Sequence, residues 1–185
     1  MSQRGTIDAA QIEAAIEGDR QAVGAITQAF LPRVFGLTLR LTRNRELAED
    51  ATQETFVRAL RALPQLRDHA RFKSWMLTIA ANTAREALRK QARNAALDYE
   101  PEAIVAEVDD KLEVRKKALD LAVADLSEPD RELFLLHTVE GLKLRELAEQ
   151  LQMTVPAMKS KVHRIRSKIR VSALEHLRAA GASAV

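Results

Sequence analysis

The sequence predicts an all-α fold: two small helical domains joined by an acidic flexible linker. Three observations predict it. Ala, Leu, Arg and Glu, all strong helix formers, dominate the chain, while Gly and Pro number only 6 and 5. Apolar residues recur at steps of three and four over most of its length. That periodicity stops once, where acids accumulate. The boundaries that follow are residues 1–91 for the first domain, 92–111 for the linker and 112–185 for the second domain.

Apolar residues make up 46% and charged residues 30%, a balance that suits a folded chain rather than a disordered one. In 185 residues, two lobes can each bury a modest core. The absence of cysteine excludes disulfides, thiolate metal sites and cysteine nucleophiles. No uninterrupted apolar run approaches the roughly 18 residues of a membrane span. The opening Met-Ser-Gln-Arg-Gly-Thr lacks the apolar core of a signal peptide, so the expected location is the cytoplasm, without membrane insertion. Net charge is +3, but Asp98 to Glu113 holds seven acids and one base, leaving +9 on the remainder. A basic body with an acidic strap fits contact with polyanions; ordinary variation of surface charge explains the same numbers.

The elements follow in order. A short helix is expected over residues 8–17, closed by Gly18 in a left-handed conformation, with Asp19 capping the next helix. That helix buries Val23, Ile26, Phe30, Val34, Leu37 and Leu41, and Pro32 inside it predicts a kink or a break. Asn44 caps a third helix reaching about Ala62, which Pro64 ends. A fourth helix, Arg71 to Gln91, has an apolar face of Phe72, Trp75, Met76, Ile79, Ala80, Thr83 and Ala87, and another face of Thr78, Asn82, Arg85 and Arg89. In the second domain Leu119, Ala122 and Leu126 share a face. Ser127 with Asp130 resembles a capping box, and Gly141 ends the helix that carries Leu133, Phe134 and His137.

Residues 143–170 are the most informative. Leu144, Leu147, Ala148 and Leu151 form the inner face of a short helix, Gln152 and Met153 make a turn, and Thr154 caps a second helix with Pro156 in its first turn. Met158, Val162, Ile165 and Ile169 face inward. Lys159, Lys161, Arg164, Arg166, Lys168 and Arg170 give this helix +6 with no acid between them. This is the layout of a helix-turn-helix whose second helix enters the major groove. Pro156, Ser160, His163, Arg164 and Ser167 lie opposite the apolar stripe, with Ala157 and Lys159 on its flanks. A charge run alone usually marks a solvated helix. The capped, turn-preceded and striped arrangement favours DNA.

Three stretches resemble the extracytoplasmic-function class of RNA polymerase sigma factors. They are Leu31-Pro32-Arg33-Val34 through Ala48-Glu49-Asp50-Ala51-Thr52-Gln53-Glu54-Thr55-Phe56, then Phe72-Lys73-Ser74-Trp75-Met76-Leu77-Thr78-Ile79-Ala80-Ala81-Asn82, then Glu140-Gly141 through Lys159-Ser160-Lys161-Val162-His163-Arg164. The resemblance implies that the first lobe grips the clamp of core RNA polymerase and reads the promoter −10 element. The second lobe would rest on the flap and read the −35 element, the linker would thread through the polymerase, and an anti-sigma factor would be a further partner. By position, Asp50, Gln53 and Glu54 match the polymerase-contacting helix; for each alone, helix solubility is a fair competing role. Gln65 to Arg71 matches a loop that holds a flipped-out base, which needs a rigid support because extrusion costs a few kcal/mol. Arg67, His69, Arg71, Asn82, Arg85 and Arg89 are the corresponding DNA contacts, and Thr154, Pro156, Ala157, Lys159, Ser160, His163 and Arg164 those of the recognition helix. Trp75 fits core packing better than base stacking. Two departures from the family pattern stand out: Gln152 replaces the usual turn Gly, and Lys143 replaces the usual Ser or Thr cap.

Two other classes compete. An autonomous helix-turn-helix regulator would bind DNA without polymerase, but the first lobe looks like a clamp-binding domain rather than a ligand or receiver domain. An enzyme would need a catalytic constellation. His69, His137, His163 and His176 are scattered, no metal-ligand spacing or Gly-rich phosphate loop occurs, and neither cofactor nor metal is expected.

Overall fold

The computed structural model describes residues 7–94 and 111–181. The chain divides into two compact units, Met1–Ala103 and Ile104–Val185. Among the described residues all regular structure is helical. Residues 92–94, expected in the linker, continue a helix, and Lys111 begins another; residues 95–110 of the expected linker lie outside the described residues.

The first unit contains α1 (Ala9–Ile16), α2 (Arg20–Thr42), α3 (Arg45–Ala62) and α4 (Phe72–Asn94). Asp8 caps α1 and shares a capping box with Gln11. Gly18, at φ +92°, makes the turn, and the Asp19 carboxylate accepts from the Gln21 and Ala22 N–H groups at the start of α2. Pro32 does not split α2, which runs unbroken through it; a proline removes one ladder bond, and tertiary packing on both sides carries the helix across. By length and composition α2 is the one described helix able to cross a membrane. Here its Ile26, Phe30, Val34, Leu37 and Leu41 form the centre of the unit, buried against α3 and α4. Asn44 caps α3 through the Leu47 N–H, as expected.

Small residues let the three long helices approach closely. Ala48, Ala51, Ala59, Ala80, Ala81 and Ala84 are all buried. Thr38 is fully buried between α2 and α3, where its hydroxyl meets Thr52 at 2.9 Å and the carbonyls of Phe35 and Ala48. Such hydroxyls are tolerated because each is satisfied. On α4, Leu77 and Ala84 are among the most buried residues, whereas Ile79 and Ala87 of the expected face are only half-buried. The buried arc is therefore rotated towards Leu77, because α2 and α3 both press on this helix and cover a wider arc than one stripe.

The second unit contains α5 (Lys111–Ala124), α6 (Glu128–Phe134), α7 (Leu144–Gln150) and α8 (Val155–Ala179). Three expectations need correction. Leu119 is 46% exposed, and the buried side of α5 is Ala118, Ala122 and Leu126. The Ser127 side chain makes no cap bond, and Asp130 turns instead to Lys168 of α8 at 2.8 Å. Leu151 is 47% exposed because α7 ends one residue before it. A further feature was not anticipated: α6 continues into a π-turn, Leu135–Val139, closed by the Glu140 N–H to the Leu135 carbonyl. The wider turn allows the neighbours Leu135 and Leu136 both to be buried. Gly141, at φ +73°, then reverses the chain, and the Leu142 N–H returns to the Leu136 carbonyl.

Candidate nucleic-acid and polymerase interfaces

The helix-turn-helix is built from α7, a tight turn and the first half of α8. Lys143 leaves α7 without a side-chain cap, but the Glu146 carboxylate accepts from the Lys143 N–H at 3.0 Å, supplying half of a capping box. Gln152 takes the left-handed conformation, φ +52°, and the Met153 N–H donates to the Ala148 carbonyl at 2.8 Å. A glutamine thus occupies a position that favours glycine. Gln152→Gly is expected to stabilise the second unit by about 0.5–1 kcal/mol, read as a raised Tm of that unit alone; a fall in Tm would mean that the Gln152 side chain makes good the strain.

The Thr154 hydroxyl accepts from the Ala157 N–H, and Pro156 lies in the first turn, where no N–H is needed. Met158, Val162, Ile165 and Ile169 are all buried, as their spacing required. This anchoring fixes the rotation of α8. Thr154, Pro156, Ala157, Lys159, Ser160, His163 and Arg164 are consequently all exposed, on or beside one face. Of the six cations between Lys159 and Arg170, Lys168 is committed to Asp130. Lys159, Lys161, Arg164, Arg166 and Arg170 make no ion pair among the described residues, so their charge is offered to solvent. α8 also continues well past the basic stretch, and its far half packs on α5. There Asp125 accepts from Ser172 at 2.6 Å and lies 2.7 Å from His176, a clasp between the two helices. No local pattern signals this pairing, which joins residues far apart in the chain.

In the first unit, Asp50, Gln53 and Glu54 are exposed at i, i+3 and i+4 on α3, which puts them on one face. Glu54 is not free: its carboxylate accepts from Arg58 Nε at 2.7 Å. Arg58 also donates through Nη1 to Glu86 of α4 at 2.6 Å. Arg58 and Glu86 were not singled out in the sequence. The i, i+4 relation of Glu54 and Arg58 was a visible signal; the reach to Glu86 was not.

On α4, Asn82 and Arg89 are exposed and Arg85 is half-buried, its Nη1 donating to Asn82 Oδ1 at 3.1 Å. The preceding segment folds as two short 3₁₀ turns, Leu63–Gln65 and His69–Arg71. Asp68 caps the second through the Ala70 N–H at 3.1 Å and faces Arg71 at 3.6 Å. Arg67 is exposed, whereas His69 is half-buried, 3.8 Å from Glu13 of α1. The segment therefore brings Arg67 and Arg71 to solvent and turns His69 towards α1. Trp75 is half-buried, 5.8 Å from the Phe72 ring, in an apolar cleft with Phe56, Leu63 and Met76. Its environment is that of a packing residue. Among the described residues no cluster of three or more His, Asp or Glu could hold a metal.

Comparison with known proteins agrees with this architecture. Residues 26–94 match the Sigma-70 region 2 family and residues 116–169 match Sigma-70, region 4. The chain is 34% identical over 158 residues to the RNA polymerase sigma factor CarQ of Myxococcus xanthus, covering 83% of this chain and 90% of that protein. It is 32% identical over 187 residues to the ECF RNA polymerase sigma factor ShbA of Streptomyces griseus, covering 91% and 96%. Its fold is similar to that of CnrH, solved with the cytosolic domain of CnrY, at a TM-score of 0.66 and 23% identity over 89% of this chain and 96% of that one. It is equally similar to the sigma factor RpoE of Bartonella quintana, solved with the anti-sigma factor NepR, at a TM-score of 0.66 and 21% identity over 82% and 94%. Both region matches, in order and one in each unit, together with relatives matched along nearly their whole length, place the chain in the extracytoplasmic-function class of the sigma-70 family of RNA polymerase sigma factors.

Proposed function

We propose that this protein binds core RNA polymerase in the cytoplasm and directs it to promoters through two DNA-reading surfaces. The observation that carries the reading is the exposed, unpaired cationic face of α8, held in register by a buried stripe and a Thr154 cap. Its first two turns offer Thr154, Pro156, Ala157 and Ser160 to base edges of the −35 element. His163 follows on the same face, and Lys159 and Arg164 hold phosphates. In the first unit, Asp50, Gln53 and Glu54 face the polymerase clamp. Arg67, Arg71, Asn82, Arg85 and Arg89 serve the −10 element, with His69 braced against α1 rather than extended. We assign the first unit, through Asn94, to region 2 and the second, from Lys111, to region 4 resting on the polymerase flap, with the acidic segment between them as the linker. The complex of RpoE with the anti-sigma factor NepR supports an anti-sigma factor as a further partner.

The test is in vitro transcription with core polymerase and genomic DNA, with start sites mapped. Wild-type protein is expected to yield discrete start sites sharing two upstream elements. Lys159→Ala and Arg164→Ala are each expected to weaken use of the upstream element and to lower the salt slope of promoter binding by about one unit, leaving core binding intact. Loss of core binding in either variant would remove α8 from the DNA.

A further inference from the structure

Asn82, Arg85, Glu86 and Arg89 recur at i, i+3, i+4 and i+7 along α4 and so share one helical face. Three of them suit DNA; Glu86 does not. A carboxylate among phosphate-facing groups repels the backbone that its neighbours attract. Glu86 is exposed, and among the described residues its partner is Arg58, which reaches across from α3 with a 2.6 Å hydrogen bond. The same guanidinium holds Glu54 at 2.7 Å. Hydrogen bonds to Glu54 and Glu86 hold Arg58 above its ordinary, already very high, range, so it stays charged.

We propose that Arg58 is a positioning residue of the −10 surface: it masks Glu86, neutralising a carboxylate within the DNA-reading face of α4 and drawing it towards α3. This rests on the assignment of that face to DNA. The placement has a second consequence. Glu54 belongs to the polymerase-facing row of α3 and Glu86 to the DNA-facing row of α4, and Arg58 stands at the seam between them. A basic group of polymerase that takes Glu54 leaves the whole guanidinium to Glu86. Core binding then strengthens the mask instead of competing with it. Arginine suits the position because its fork serves two carboxylates at once, which a lysine ammonium does with less geometric definition.

The experiment measures binding of the full chain to a short fluorescein-labelled oligonucleotide of random sequence, single-stranded and duplex, at low salt. Arg58→Ala is expected to weaken binding about fivefold, since one masking charge is lost beside two carboxylates. Glu86→Gln in the same chain is expected to restore affinity to within about twofold of wild type, and Glu86→Gln alone, with Arg58 in place, to bind within about twofold of wild type. Melting curves accompany each variant, and the Glu86→Gln single variant tests the mask even if Arg58→Ala loses stability. The proposal is overturned if Arg58→Ala binds normally, if Glu86→Gln fails to rescue it, or if Glu86→Gln alone binds about fivefold or more tightly than wild type, as an unmasked carboxylate would require. Arg85→Ala and Arg89→Ala distinguish the two levels of the argument. If they leave binding unchanged, the DNA assignment of α4 fails; if they weaken it while Glu86→Gln does not rescue Arg58→Ala, only the mask fails.

Discussion

The isolated chain is expected to bind its promoters at least about a thousandfold more weakly than the same chain assembled with core polymerase. Alone, each unit offers a small basic surface, and five unpaired cations on α8 give mainly non-specific affinity, on the order of 10⁻⁴–10⁻⁶ M at physiological salt. Specific complexes reach roughly 10⁻⁸–10⁻¹¹ M because they add base readout over a larger interface. Engaging two promoter elements at once requires a defined spacing between two basic faces, which a partner holding both units supplies. The acids from Asp98 to Glu113 add a local −6 that works against DNA in the free chain. Fluorescence anisotropy with one promoter duplex, at one salt concentration, with and without core enzyme, measures the difference. Nanomolar, sequence-specific binding by the isolated chain would instead make it an autonomous regulator.

The second large effect concerns Met158. It is fully buried beneath the start of α8, and its stripe fixes which residues face outward. Met158→Ala is expected to cost about 2–5 kcal/mol through lost burial and an unfilled cavity. A core this small supplies only about 3–5 kcal/mol in total, so the second unit should lose most of its folded population at physiological temperature. The first unit has its own core around Val34, Leu37 and Leu77 and should be unaffected. Hydrogen exchange read by mass spectrometry is expected to show protection lost over α5 to α8 and retained over α2 to α4. Equal loss in both would mean that the two units do not fold independently.

The local sequence determined most of the helices and their caps. Asp19, Asn44 and Thr154 act where they were expected to, because a capping side chain reaches only the next two or three N–H groups and needs no distant partner. The same holds for the stripe Met158, Val162, Ile165 and Ile169: a period of 3.6 fixes a helix face before anything packs on it. The exposure of the cationic face of α8 followed from that stripe. The failures lie where a neighbour decides. Ser127 and Asp130 have the spacing of a capping box, yet Asp130 turns to Lys168, far along the chain, because a charged partner within reach competes for the carboxylate. Leu119 has the right period for a core face but lies outside the arc that α8 covers.

For the site, the sequence by itself determined which residues were available: a cationic stretch, acid-free from Val155 to Arg170, behind a tight turn, and an acidic and amide row on α3. Those properties are local and follow from composition and helical period. Only the tertiary structure decided which charges are already engaged. It committed Lys168 to Asp130, turned His69 towards Glu13, and joined Glu54, Arg58 and Glu86 into one group. Charge is written in the sequence one residue at a time. Whether it is offered to a partner or satisfied within the fold depends on distances of a few ångströms between elements that the chain brings together only on folding.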